Sequence, residues 1–216
     1  GFPVRYLEDD AADMDPKQKA MLAAVYEPSD AIRPAWEAVQ QAAKKAKAEH
    51  LLDGLTLLLE PGRSIIGDTG ICLTTVRNVK SRPTSNGGED HWLLTDAGFN
   101  ILLSMETYKW FYRLISAERT SNAHDASYKV AGPLCDGGDV YFDIEGESRL
   151  PEYRLLPSRV EPGEVLALLN CGSYSLSQAS QYNARFLPAV VLIKDGGTTT
   201  LIRRRDNFED LISSDL

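Results

Sequence analysis

The sequence predicts the closing helix and strand of a β/α barrel followed by an all-β domain, and three observations predict it. A long segment of helical period, Ala31 to His50, runs directly into a short apolar run, Leu55 to Leu59. That run is continuous rather than alternating and is bounded by Asp53-Gly54 and Pro61-Gly62, the pattern of a strand buried on both faces of a parallel sheet. After Arg63 the texture changes to short alternating segments with hairpin punctuation, the mark of antiparallel β structure. Helix followed by buried strand is the repeating unit of a β/α barrel. The boundary therefore falls at Arg63, with residues 1–62 the end of a barrel and 63–216 a β domain.

Each element has its own signal. Gly1 to about Pro28 reads as a loop and then a helix-prone stretch, Lys17 to Tyr26. Pro28-Ser29-Asp30 offers a helix start, and Ile32, Trp36, Val39, Ala43 and Ala46 then recur near the 3.6 period, with Lys44, Lys45, Lys47 and Glu49 turned to water. Gly70 to Val79 alternates loosely, Ser85-Asn86-Gly87-Gly88 is a hairpin signal, and His91 to Thr95 is a strand. Further strands are predicted at 128–130, 140–142, 165–169, 189–193 and 199–203. Helices are predicted over Met105 to Arg113 and Asp206 to Ile212. There is no internal repeat or low-complexity segment.

At 216 residues, with 43% apolar and 25% charged, the chain can bury a real core. No apolar run nears the ~20 residues of a membrane span, and no secretory leader is recognisable at Gly1. A net charge of −8 argues against a nucleic-acid surface; Arg203-Arg204-Arg205 is followed at once by Asp206, Glu209 and Asp210 and reads as a solvated strand end. The three cysteines, Cys72, Cys135 and Cys171, show neither disulfide nor zinc spacing, so reduced thiols in a cytoplasmic setting are expected. His50, His91 and His124 lack metal spacing, and no metal site is predicted.

Three stretches invite chemistry. Glu60-Pro61-Gly62-Arg63 ends the predicted barrel strand, the end at which sites on that fold are assembled. Gly132-Pro133-Leu134 leads into Cys135-Asp136-Gly137-Gly138-Asp139, and Ser173-Tyr174-Ser175 precedes Ser180-Gln181-Tyr182-Asn183-Ala184-Arg185. Taken singly, each has a plain reading: a Pro-Gly turn with a surface ion pair, a solvated turn, a packed tyrosine. In this order and spacing they resemble the C-terminal half of the pyridoxal-phosphate-dependent decarboxylases of the ornithine/diaminopimelate/arginine type, which have the alanine-racemase-like fold.

That resemblance implies roles. Gly1, followed by Phe2-Pro3, matches the last glycine of the family's phosphate loop, and the Schiff-base lysine would lie upstream of it. The partner is then the barrel half that carries this lysine. Glu60 would keep the cofactor's pyridine nitrogen protonated, Gly62 and Arg63 would serve its phosphate, and Tyr174 would lie against cofactor and phosphate. Cys135 would reprotonate Cα after loss of the α-carboxylate, and Asp136 would meet the substrate's distal amino group. The loop carrying them would reach a neighbouring subunit's site, implying a homodimer. Tyr182-Asn183 is assigned mainly to packing.

Two positions depart from the family. Where diaminopimelate decarboxylases place an arginine for the distal carboxylate, the aligned residue is Ser104. Where ornithine decarboxylases have Tyr-Asp, this chain has Tyr108-Lys109. Lys109 either faces solvent or lines the substrate pocket beside Tyr108, where it would repel a cationic side-chain end and favour an anionic or carbonyl-bearing one. Citrate-bearing conjugates of siderophore and secondary pathways are of that kind. The alternatives are an ornithine, lysine or diaminopimelate decarboxylase of primary metabolism, a non-catalytic homologue that regulates a decarboxylase by dimerisation, and a racemase, which would lack the 132–139 loop.

Overall fold

The computed structural model describes residues 2–7 and 14–215. Gly1, one of the predicted cofactor residues, lies outside them. Two helices come first, α1 (Pro16–Ala23) and α2 (Pro28–Ala46). Asp15 caps α1 by accepting the Gln18 N–H at 2.9 Å, and Pro28 opens α2, where its missing N–H costs nothing. The Asp30 carboxylate accepts the Glu27 N–H at 2.9 Å, so α2 starts near the predicted place. Lys47, in the left-handed region at φ 55°, ends it.

The predicted strand 55–59 is the main correction. The segment makes no strand, and Leu55, Leu57, Leu58 and Leu59 are all exposed. A parallel strand exists only through ladder bonds to neighbours, and the described residues provide none for this run. The apolar stripe of α2 is likewise uncovered: none of the helix is buried, and Trp36 lines a shallow apolar cavity with Ile32, Leu55 and Leu57.

A short helix, α3 (Gly62–Ile66), leads into the sheet. Six strands form it: β1 (Cys72–Pro83), β2 (Glu89–Thr95), β3 (Leu114–Ser116), β4 (Ala126–Ala131), β5 (Arg154–Leu156) and β6 (Val165–Leu168). Their spatial order is β3-β6-β1-β2-β4-β5, antiparallel except for the parallel pair β2–β4. The two edge strands, β3 and β5, approach each other, which nearly closes the sheet into a barrel. Val76, Leu93, Val130, Leu156, Leu166 and Leu168 point into it and are essentially inaccessible. Val140 makes only an isolated bridge to Ala131, where a strand over 140–142 was expected. The predicted helix over 105–113 is shorter, α4 (Leu103–Thr107), and the chain beyond it extends towards β3. A separate hairpin, β7 (Val190–Ile193) with β8 (Thr199–Arg203), and a last helix, α5 (Phe208–Ile212), complete the chain. No helix among the described residues is long and apolar enough to cross a membrane.

Burial separates positions that look alike in sequence. Leu166→Ala, at a fully buried site, is expected to cost about 2–5 kcal/mol. Leu201→Ala, where the side chain is 60% exposed, should stay within about 0.5 kcal/mol. Urea denaturation of the two variants checks this.

Candidate active site

Trp110 is the post around which the first group of site residues assembles. The Arg63 guanidinium, on the first turn of α3, lies 4.3 Å from the centre of the Trp110 ring and 5.9 Å from that of Tyr6. Its Nε donates to the Phe2 carbonyl at 3.4 Å. Tyr174 meets the same indole edge-on at 4.9 Å, Tyr108 tilts against it at 5.3 Å, and Tyr6 stacks on it at 5.8 Å. An arginine over an aromatic face is worth about 0.5–2 kcal/mol, and each ring pair adds to that. One indole therefore gathers its neighbour Tyr108 with a cation and two tyrosines from distant parts of the chain.

Ser104 supports the post from below. It is completely buried, its Oγ is hydrogen-bonded to the Tyr112 hydroxyl at 2.5 Å, and it donates to the Tyr174 carbonyl at 3.5 Å. Its own carbonyl accepts the Trp110 N–H at 3.3 Å. Burial pushes the Tyr112 phenol above its ordinary range, so it acts as a neutral donor or acceptor. Burial also raises Tyr6, opposed by the positive charge of Arg63. Tyr174 sits in the left-handed region at φ 59°, uncommon for a bulky residue, and keeps its side chain 41% exposed.

The other residues of this group fall around it. Glu60 is exposed on the segment leading into α3, and Gly62 has nothing within 4 Å of where a Cβ would stand, which leaves open backbone beside Arg63. Lys109 is only 5% exposed, which rules out the solvent-facing alternative. Its backbone is left-handed at φ 53°, its carbonyl accepts from Gln18 Nε2 at 2.8 Å, and its ammonium stands 3.9 Å from the Glu106 carboxylate.

Cys135 and Asp136 form a second group. Among the described residues no hydrogen bond, ion pair or ring contact joins them to Arg63, Tyr108, Lys109 or Tyr174. Their loop is braced from inside by Asp139, which is 4% exposed. The Asp139 carboxylate accepts the Phe99 and Leu134 N–H groups, each at 2.8 Å. Gly98 and Gly132 flank it so closely that a Cβ on either would strike the carboxylate, at 2.6 Å for Gly98. Burial raises the Asp139 carboxyl, and the two backbone donors act against that rise. Outside the loop, Tyr182 donates to Asp136 at 3.1 Å, Asn183 accepts the Cys135 N–H at 2.6 Å, and Arg185 donates to the Pro133 carbonyl at 2.6 Å. Assigning Tyr182-Asn183 mainly to packing is thereby corrected: these side chains hold the loop.

The three thiols differ sharply. Cys135 is exposed, whereas burial pushes Cys72 up to about 11 and Cys171 up to about 12. Of the histidines, His124 accepts the Ser116 N–H at 3.2 Å and His91 bonds Ser81 Oγ at 2.9 Å. Among the described residues no three His, Cys, Asp or Glu side chains are grouped to share a metal ion. Trp110 escaped the reading of the sequence, and Asp139, Asn183 and Arg185 stood in its motif stretches without the holding role the structure gives them. Only the Gly-Gly-Asp spacing after Cys135 hinted at one of them, as turn chemistry.

Residues 14–172 match the family model of the pyridoxal-dependent decarboxylases, in the description of their C-terminal sheet domain. The chain belongs to this family. Diaminopimelate decarboxylase of Escherichia coli K12 is 38% identical over 179 residues, 81% of this chain and 40% of that protein. That of Bacillus subtilis 168 is 32% identical over 217 residues, all of this chain and 42% of its own. A crystal structure of diaminopimelate decarboxylase superposes with a TM-score of 0.66 at 36% identity, over 84% of this chain and 42% of that one. The Methanocaldococcus jannaschii enzyme in complex with L-lysine gives 0.60 at 33% identity, over 74% and 33%. The chain thus spans about two fifths of the length of the curated relatives it matches.

The donor set around Trp110 fits the family's pyridoxal phosphate. An exposed carboxylate, open glycine backbone, a guanidinium and an exposed phenol are the groups a protonated pyridine ring and a phosphate require. The four come from two short segments, Glu60–Arg63 and Tyr174.

The buried Asp139 carboxyl gives a pH test with a definite sign. Its folded pKa lies above the ordinary value, so the folded chain holds this proton more tightly than the unfolded one. Its contribution is therefore largest below the unfolded pKa and is lost as pH rises through the folded one. Subtracting the stability curve of Asp139→Asn from that of the parent, by urea denaturation from pH 4 to 7, should leave a difference that falls with pH.

Proposed function

We propose that the chain takes part in pyridoxal-phosphate-dependent decarboxylation of an amino acid or amino-acid conjugate, with Cys135 returning the proton to Cα. The observation that carries this reading is the contrast among the thiols. Cys135 alone is exposed, on a loop fixed from two sides, while Cys72 and Cys171 are held neutral by burial. A proton donor must be accessible and placed, and only one of the three is both. Residues 1–62 then belong to the cofactor-binding barrel and 63–216 to the β domain, with the Schiff-base lysine in the remaining barrel half.

When bound, the cofactor withdraws the electrons left at Cα by departing carbon dioxide. The chain's own residues would bind and orient: Glu60 would hold the ring's charge, Gly62 and Arg63 the phosphate, and Tyr174 would lie against both. Separation of the Cys135–Asp136 group from the Trp110 group supports a homodimer in which each loop serves the other subunit's site. Asp136 carries the charge to meet a distal amino group.

For the substrate we favour a side chain ending in a carboxylate or carbonyl. Ser104 is spent on Tyr112 and Tyr174, so its position offers no guanidinium to grip a distal carboxylate, and the buried Lys109 ammonium supplies a cation next to Tyr108. Conjugates of the citrate-bearing, siderophore type fit this, and a diamine whose end reached Lys109 would be repelled.

Cys135→Ala in the complete enzyme should slow turnover about 10²–10⁴-fold while leaving cofactor binding intact, read by CO₂ release and cofactor titration. Unchanged turnover removes Cys135 from the chemistry. For specificity, ornithine, lysine, diaminopimelate and a citryl-amino-acid conjugate should be assayed with parent and Lys109→Ala. The variant should lose several kcal/mol on the anionic substrate and little on a neutral one. Ornithine as best substrate, indifferent to Lys109→Ala, would place Lys109 outside the pocket.

A further inference from the structure

We propose that residues 182–185 are a positioning clamp for the Cys135–Asp136 loop, with Asn183 setting the main chain at Cys135 and Tyr182 setting the Asp136 carboxylate. The inference rests on the decarboxylase reading for its purpose, but its geometry stands apart from that reading.

The loop's own bonds leave a gap where the chemistry would occur. Asp139 takes the Leu134 N–H, and Asp136 Oδ1 takes the Gly138 N–H at 2.8 Å. Asp139 N–H returns to the Asp136 carbonyl at 3.1 Å. Internal anchoring thus stops at Leu134 and resumes at Asp136. The Cys135 N–H lies between, and its partner is the Asn183 side chain, 48 positions away.

The three contacts from outside run in antiparallel order. Arg185 meets Pro133, Asn183 meets Cys135, and Tyr182 meets Asp136, each step along one segment matched by a step back along the other. No ladder of main-chain bonds imposes this register; each contact uses a side chain of 182–185. Asp136 raises the Tyr182 phenol, as expected of a hydroxyl that donates to a carboxylate.

The clamp's backbone is itself costly. Asn183 and Ala184 both lie in the left-handed region, at φ 57°. Two such residues in succession persist only where surroundings over-determine them. Here Phe99 stacks on Tyr182 at 5.5 Å, Gln181 donates to Asp206 at 3.0 Å, and the Ser180 N–H donates to the Asn100 carbonyl at 2.8 Å. Phe99 is also the residue whose N–H binds Asp139, so the inner brace and the outer clamp meet at one position. Asparagine suits position 183 because it tolerates this backbone and its short amide reaches the Cys135 N–H.

A proton donor off its mark by about 1 Å can lose about 10²-fold in rate, so the Asn183 contact to Cys135 acts on the rate rather than on substrate affinity. The test separates acceptor from backbone. Asn183→Gly keeps the left-handed conformation and removes the acceptor; Asn183→Asp keeps both. In the full-length protein, hydrogen exchange of the 134–138 amides should quicken about five-fold in Asn183→Gly and return towards the parent rate in Asn183→Asp, with β1 and β6 unaffected. In Asn183→Gly kcat should fall at least about ten-fold with KM nearly unchanged, short of the limit for gross misplacement. Unchanged exchange in Asn183→Gly, faster exchange with kcat untouched, or equal exchange in both variants each overturns the clamp. If the parent protein decarboxylates none of the panel, the functional reading fails and the exchange measurements alone decide the clamp.

Discussion

A single buried carboxylate governs how the domain presents its loops. Asp139 accepts one N–H from the turn that follows β2 and one from the loop that follows β4. Those strands are the one parallel pair in the sheet, so both chains leave it at the same end and need a common anchor. Gly98 and Gly132 are small because the carboxylate fills the space a side chain would take. Charge is held in the interior here only because backbone donors converge on it, the usual condition for tolerating a buried ion. Tyr141 closes the same corner, donating to the Ala97 carbonyl at 2.8 Å.

Trp110 does for the other group of residues what Asp139 does for the loop, by dispersion and ring electrostatics instead of hydrogen bonds. Arg63, Tyr108 and Tyr174 come from three separate segments, and the indole gives each of them a face or an edge. The guanidinium is thereby kept flat and partly desolvated, ready to meet a planar anion without first losing much rotational freedom. Ser104, buried beneath, links this post to Tyr112 and so to the core. The site is thus attached to the buried core through a serine.

Much of the architecture was legible from residue patterns, and the failures have physical causes. Strands β1, β2, β4, β6, β7 and β8 declared themselves by alternation or apolar runs within a few residues of their ends. Strands β3 and β5, three residues each, are shorter than any period that could reveal them. The aromatic run from Tyr108 to Tyr112 read as helix because spacing cannot report that one ring is shared by residues far away in sequence. Leu55 to Leu59 carried the signature of a doubly buried strand, but the signature describes an environment, and the described residues do not supply that environment. The motif residues Glu60, Arg63, Cys135 and Tyr174 drew roles from the resemblance that their order and spacing carry. Asn183 and Arg185 stood in the same stretches but their contacts did not show, since a side chain's distant partner leaves no mark on its own neighbours.

The distribution of sulfur carries a consequence for the protein's ageing. Cys72 and Cys171 are shielded and held as thiols, while Cys135 stands in water. Peroxide attacks an accessible thiolate first, so among the thiols oxidative wear is channelled to Cys135 and away from the two whose modification would disrupt the packed sheet. A disulfide reductant would recover a chain damaged in this way up to the sulfenic stage.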